Sequence, residues 1–575
     1  MGGTLTNTGV FTIGGEHATS GSNLRAAGFS NTGTFNLIGT PSFIGAPGGA
    51  AVAEFTGSAP STINGTLTLF GNTIMAFDGG GTISSIASGA TLELDAWHGQ
   101  PLLDALSGLT NNAGTLNLDV RGAADDIRPL NGGLNLTFDN TIINTGTINY
   151  GYSGVVSRDI VSMAGLNNTG TLVLIGGNVT LNVLGPAPGT LTGDNYILNA
   201  VLQYGSGGIT GIGFGAVLDL NGSARVGLNG QAGSSALTHL ASNAGGLHLN
   251  TSAGIVTDTD FSNTNLVQMD QGLLSVGGAL NNSATFILQG GTVTAANANN
   301  SGVLAINGTL SVASGGTFTQ TAGGTAVNGG ALSAGQVNIA GGSVVFQTPL
   351  TSGAHTGPIT LSGGSRVEFA ASVDSNEQVG FGGAGMIQLD AGNQFAGTIF
   401  HFTGYASHGE AVDIPSLSDI NNDAHTSFNF ATNQLTVFGD NGSVTLQLDA
   451  EDYSGVSWSV QPYALGAAYV TASFVPGSQY VFFAPGQPVN VATATDPNNV
   501  PPPAPGNFNL ELVVNATGTG SFATPPGYQG VAIRSTDGHT LTLLHGDYGV
   551  VDTHGFDSLF AGDGSESIGG ALGDS

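Results

Sequence analysis

Residues 31–37 read NTGTFNL, and the chain repeats the phrase almost unchanged at 144–150 (NTGTINY) and 168–174 (NTGTLVL). Looser copies stand at 7–13 (NTGVFTI), 112–118 (NAGTLNL), 282–288 (NSATFIL) and 300–306 (NSGVLAI). Within each copy large apolar residues alternate with small polar ones, Phe35 and Leu37 against Thr34 and Asn36. That is the period-two pattern of a strand with one buried face. The Asn-x-Gly that opens the unit is turn chemistry, since both residues tolerate positive φ. Each copy therefore predicts a corner followed by a strand. Asn7 to Asn31 is 24 residues, Asn144 to Asn168 is 24, and Asn282 to Asn300 is 18. Such spacings are coil lengths of a solenoid whose strands stack into long parallel sheets. A β-sandwich array would need hairpins with two-residue turns. Corners of mixed length, and a likeness stronger between coils than between strands, argue against it.

Between 289 and 346 a glycine-rich corner comes every six to nine residues, which predicts three short strands per coil. Residues 1–350 thus read as a right-handed parallel β-helix of roughly seventeen coils stacked about 4.8 Å apart. The segments 41–60 and 96–130 read as loops leaving one face. Phe35, Ile148, Leu172, Phe286 and Leu304 share one motif position and so fall in one interior column. The 96 glycines follow no collagen-like period and fit many tight turns. Helix signals are nearly absent, and no apolar run reaches the length of a membrane-spanning helix. All seven basic residues are Arg, 37 residues are acidic, and the net charge is -30. Phosphate backbones need Lys and Arg, so nucleic acid is excluded as a partner, whereas divalent cations suit such a surface. The absence of Cys removes disulfides and thiolate sites.

From about 351 the strands lengthen and carry more aromatic residues, and residues 351–494 read as a β-rich module continuing or capping the solenoid. Its segments GGAGMIQLDAGNQFAGTIFHF (382–402), AVDI (411–414), NQLTVFG (433–439) and VTLQLDAEDYSGVSWSV (444–460) form one block. The block resembles an element that recurs beside β-strand repeats in large secreted and surface proteins of bacteria. Asp390, Phe395, Gly397, Thr398, Ile399, Phe402, Asp413, Leu435, Val437, Asp452 and Tyr453 stand in its pattern, while Trp458 replaces an expected Phe. The first part is similar to the β-helix adhesins of the filamentous-haemagglutinin and autotransporter-passenger kind. These resemblances imply a bacterial cell-surface or extracellular setting and no enzyme activity.

The Pro-rich stretch TDPNNVPPPAPGNF (495–508) reads as a linker, and 509–575 as a β segment leading into three nines. These are LLHGDYGVV (543–551), DTHGFDSLF (552–560) and AGDGSESIG (561–569), each with Gly at position four and an apolar residue at position eight. They resemble the calcium-binding nonapeptide of RTX proteins, G-G-x-G-x-D-x-U-x, in which glycine turns and acidic side chains hold Ca²⁺. The resemblance implies calcium as the cofactor, with Asp557, Asp563, Glu566 and Asp574 as ligands, the start of an RTX-like β-roll, and type I secretion. Position six is Tyr548 in the first nine and Glu566 in the third, so the motif is degenerate, and ordinary acidic turns are the alternative.

Because the parallel β-helix also carries polysaccharide-active enzymes, catalytic groupings need weighing. Arg121, Asp125, Asp126 and Arg128 form the densest charged group, and Trp97 with His98 offers an aromatic ledge for a sugar. A solvated loop with local ion pairs is the favoured explanation of the first, and a buried loop anchor that of the second. His401, His408 and His425 with Glu410 and Asp413 could be imagined as a metal set, but no metal-ligand spacing joins them. An ice-binding solenoid would need a flat threonine array, which the varied coil lengths oppose. The reading is a structural and adhesive repeat region whose partners are surface glycans or proteins, with no nucleic-acid binding and no membrane insertion. The alternative is a polysaccharide lyase or hydrolase on the same scaffold.

Overall fold

The computed structural model describes residues 2–15, 20–39, 49–96, 101–119, 134–152, 160–177, 179–231, 233–351, 357–403, 409–418, 424–451, 453, 456–462 and 467–474. Beyond these it describes the backbone of strands between Ser478 and Gly569. Among the described residues only two short 3-10 turns, Asp104–Gly108 and Gly392–Gln394, interrupt an all-β chain. Parallel coils stack into a β-solenoid of about 16 turns. The chain divides into two compact units, Met1–Ile359 and Thr360–Ser575.

In the first unit each heptapeptide supplies one strand of a continuous parallel ladder. Thr34–Ile38 pairs with Val10–Gly14 on one side and Thr66–Phe70 on the other. The ladder then runs through Thr91–Asp95, Thr115–Leu118, Thr147–Tyr150 and Thr171–Ile175. In-register pairing places Phe35, Leu67, Leu92, Leu116, Ile148 and Leu172 in one column, and further along Phe286 opposite Leu304. The expected column exists, and each of these side chains is buried. Burying one such residue contributes about 1.5–3 kcal/mol, which a column repeats coil after coil.

The asparagines of the repeat turn inward at the corner and form relays parallel to the stack. The amide of Asn112 donates to Asn144 at 2.7 Å, Asn144 to Asn168 at 2.7 Å, and Asn168 to Asn195 at 3.2 Å. A second relay runs from Asn243 through Asn263, Asn282 and Asn300 to Gln320. The other amide hydrogen goes to a backbone carbonyl, as from Asn112 to Thr147 at 2.9 Å. Both relays begin with an orphaned acceptor, the buried Oδ1 of Asn112 and of Asn243. The cause is visible in the register: the preceding coils carry Ile86 and Ile212 at this position, and neither can donate.

The glycine of the repeat has a different reason from the one its turn chemistry suggests. Gly33, Gly146 and Gly170 do not adopt positive φ. A Cβ on Gly146 would lie 2.0 Å from the carbonyl oxygen of Gly114, and one on Gly170 would lie 2.1 Å from that of Gly146. Those carbonyls accept the N–H of the next coil's threonine, Thr147 on Gly114 and Thr171 on Gly146, both at 2.8 Å. Close backbone approach between coils excludes a side chain there.

Two expected loops contain structure. Within 41–60 the segment Ala51–Phe55 is a strand paired with Ser22–Ala26 and Thr73–Phe77, because Ala51, Ala53 and Phe55 alternate inward. Within 96–130 the strand Leu102–Leu103 was not expected, whereas Asn111–Asn112 and Thr115–Leu118 belong to the repeat copy at 112–118. Three strands per coil occur where the corners are densest, as in Thr285–Leu288, Thr292–Ala295 and Asn297–Asn300.

In the second unit, Ser365–Phe369, Gly385–Leu389 and Glu410–Ser418 form a parallel ladder. That ladder is finished by two antiparallel strands, Ala467–Phe474 and then Val456–Pro462. Beside it Gln378–Phe381, Thr398–Phe400 and Gly442–Leu448 stack in parallel and are finished by antiparallel Gln434–Gly439 and His425–Asn429. The apolar positions of the surface-protein pattern, Phe395, Ile399, Phe402, Leu435, Val437 and Tyr453, are all buried. Trp458 packs against Phe428 and Tyr453 with ring centroids 4.6 and 5.8 Å away. Further along, Glu511–Ala516, Gly530–Ser535, Tyr548–Asp552 and Glu566–Gly569 pair in parallel, as do Gly520–Phe522, Thr540–Leu543 and Ser558–Phe560. The Pro-rich 495–508 lies outside the described residues.

Candidate functional site

Alternation that sends Phe35 and its column inward sends the neighbouring positions outward, where register aligns them into rows. Thr34, Thr66, Thr91, Thr115, Thr147 and Thr171 form one such row. Varied coil length does not prevent a regular threonine array, since the extra residues are absorbed away from this sheet. The adjoining row, Asn36, Thr68, Glu93, Asn117 and Asn149, mixes amides, a hydroxyl and a carboxylate. Thr68 and Glu93 are buried, so this face is not the flat, uniform surface that ice would require.

Further along the outward face His248 stands opposite Asp219, with Nδ1 3.0 Å from Asp219 and Nε2 2.8 Å from Asp270. Burial, the largest single influence, favours the neutral ring. The hydrogen bonds and charges of Asp270 and Asp219 outweigh it together and hold the imidazole above its ordinary pKa. The amide of Gln268 and His248 hold Asp270 below the usual carboxylate value.

The second unit carries two polar clusters. On the outward face of its first ladder, register aligns Glu368, Gln388 and Asp413 in one row. Arg366 donates to Glu368 at 2.7 Å and also to Gln388, whose Nε2 donates to Asp390 at 2.6 Å. Burial raises the Glu368 carboxyl; Arg366 opposes the rise, and the charge and hydrogen bond of Asp390 add to it. Asp413 is 4% exposed, and its Oδ1 has no hydrogen-bond partner. Burial pushes its carboxyl up, with Arg366 opposing and Asp390 adding. Glu368 and Asp413 therefore lose their protons at higher pH than isolated Glu and Asp do.

The second cluster sits past the ends of two neighbouring parallel strands. Ile399 lies opposite Leu448, and the N–H of Asp449 donates to the carbonyl of Ile399 at 3.0 Å. His401 therefore meets Asp449 and Glu451, and its Nδ1 is 2.5 Å from Glu451 Oε1. Tyr453 donates its hydroxyl to Asp449. Glu410, itself buried, accepts the N–H of Thr403 at 3.0 Å. Burial, then Asp449, push the Glu451 carboxyl up, and His401 pulls it back.

The imagined metal set is thus redistributed. His401 joins Asp449 and Glu451, whereas Asp413 belongs to the Arg366 network and His425 stacks on Phe438 at 4.7 Å. His408 lies outside the described residues, as do Trp97, His98, Arg121, Asp125, Asp126 and Arg128. Of the expected calcium ligands Asp557, Asp563 and Asp574 also lie outside them, and Glu566 is described only by its backbone, opposite Tyr548. The network around Arg366 was not foreseen from sequence; only the period-two spacing of Arg366 with Glu368 and of Gln388 with Asp390 marks it. A cavity of about 80 Å³ bordered by Phe29, Met75 and Phe77 is far smaller than the roughly 300–1,000 Å³ of small-molecule sites. No family model matches the chain, and no curated protein matches it.

Proposed function

We propose that the chain is a structural and adhesive repeat region of a large bacterial secreted or cell-surface protein. The observation that carries this reading is a ladder whose register holds while the coil changes from 18 residues, between Asn282 and Asn300, to 32, between Asn112 and Asn144. A scaffold that keeps its rows while varying its connections presents different loops on a constant frame, and many weak contacts along it add up through multivalency. Its partners are surface glycans or proteins. The test is adhesion of the full chain to immobilised glycans and to host extracellular proteins, compared with a variant lacking 120–133. Selective retention that weakens in the variant supports the reading, and uniform absence of retention refutes it.

Calcium belongs to this proposal as the cofactor of the last nines. Their support is a period: Tyr548 pairs with Glu566 and Val550 with Ile568, in both cases 18 residues apart, which is two nines. Hydrogen exchange with and without Ca²⁺ tests it, with protection expected only after about residue 540. A second reading, polysaccharide cleavage, is favoured by the carboxyl network at Glu368, Asp390 and Asp413 beside Arg366. Release of oligosaccharides from a polyuronate that disappears in Asp413→Asn would establish it.

A further inference from the structure

We infer that His401, Asp449 and Glu451 bind a divalent transition ion of the zinc class, at a site separate from the calcium proposed for the last nines. One atom from each, the imidazole nitrogen and two carboxylate oxygens, lies within 4.8 Å of the others. Bonds of about 2.0–2.2 Å to a central ion set such donors about 3–4 Å apart, so the 2.5 Å contact of His401 with Glu451 opens to admit the ion while the longer separations close. The convergence is built by the fold, because parallel pairing brings Ile399 beside Leu448 and the three donors follow directly.

The surroundings fit a held ligand set. Tyr453 is buried and donates its hydroxyl to Asp449, fixing the orientation of that carboxylate as an outer-shell partner does in metal sites. Glu410 adds a third negative charge close enough to act on Glu451. A protonated imidazole alone would leave the three carboxylates at a net charge of -2, whereas a dication brings it to -1. The donor set selects the ion class: Ca²⁺ takes six to eight oxygens, whereas imidazole with carboxylate suits Zn²⁺ and its neighbours. Three protein donors leave a coordination position for water or for an oxygen of a bound molecule.

Other histidine and carboxylate contacts lack this geometry. His248 meets its two aspartates through opposite ring nitrogens, at 3.0 and 2.8 Å, so they cannot share one ion. His239 meets Asp258 alone, at 2.9 Å. The convergence of an imidazole with two carboxylates is confined to His401 among the described residues.

The test is calorimetric titration of the full chain with Zn²⁺ in millimolar Ca²⁺, which fills oxygen-only sites. One site is expected whose affinity falls at least tenfold in His401→Ala and in Glu451→Gln and is unchanged in His248→Ala. Glu451→Gln can still accept a hydrogen bond from His401, so it guards against a folding defect in the alanine variant, and thermal melting checks both. Zn²⁺ should also shift the side-chain NMR signals of one of the 11 histidines, that of His401. Equal affinity in wild type, His401→Ala and Glu451→Gln would overturn the site. So would displacement of Zn²⁺ by an equal concentration of Ca²⁺.

Discussion

Asn144 both receives a hydrogen from Asn112 and gives one to Asn168, so replacing it tests what the relay contributes. Asn144→Ala strands a donor on one side and an acceptor on the other. The expected loss is about 2–4 kcal/mol from one buried and one half-buried group left unsatisfied. Asn144→Asp should cost more, because a carboxylate cannot donate onward to Asn168 and carries a buried charge. Urea unfolding of both variants against wild type measures this, and equal midpoints would mean the relay is passive. His248 gives a pH signature. Its folded-state pKa is raised, so its contribution is full below the unfolded value of about 6.5 and is lost as pH rises through the higher folded value. Melting temperature should therefore fall across that window in wild type, and the fall should be smaller in His248→Gln. The asparagines could be seen in the sequence because they open the same short motif each time it recurs. Their inward direction could not, since turn chemistry explains the same letters without burial.

At the scale of the element, strand and corner were legible because alternation and spacing are local properties. The reason for glycine was not, because the atom that excludes its side chain belongs to another coil. Gly146→Ala should destabilise by about 1–3 kcal/mol or more, as the Gly114 carbonyl must move and loosen its bond to Thr147. Gly89 has φ of +78° and open space where a side chain would begin, so Gly89→Asn, which tolerates that backbone, should cost far less. Thermal unfolding of the two variants side by side separates crowding from conformation, and equal losses would contradict the account. The same limit explains the clusters of the second unit. His401 and Asp449 are 48 residues apart, and only the pairing of Thr398–Phe400 with Gly442–Leu448 makes them neighbours. Spacing rules find ligands on one element, and here the ligands come from two.

At the scale of the molecule, a stacked coil behaves as a removable unit. Deleting residues 147–170 would bring Thr171 to the Gly114 carbonyl and Asn144 to Asn195, the same partners one coil on. The shortened chain should fold with a modest loss of stability, since each repeat mainly contacts its neighbours. Circular dichroism and denaturation check this, and failure to fold would mean that this coil has a contact the others lack. The solenoid itself was legible at this scale because its repeat is longer than any one element, whereas the strands Ala51–Phe55 and Leu102–Leu103 were hidden by departures from the repeat. The direction of the hydrogen bonds has a mechanical consequence. Ladder bonds and asparagine relays both run along the stack, so tension applied between its ends loads one junction at a time, as in a zipper, instead of shearing many together. A pulled chain should yield coil by coil at low force, each release freeing about 18–32 residues of slack. Single-molecule force traces should show a staircase of such steps in place of one abrupt rupture. A stack built this way would lengthen under load and rewind when the load eases, so that whatever holds its ends feels a limited force.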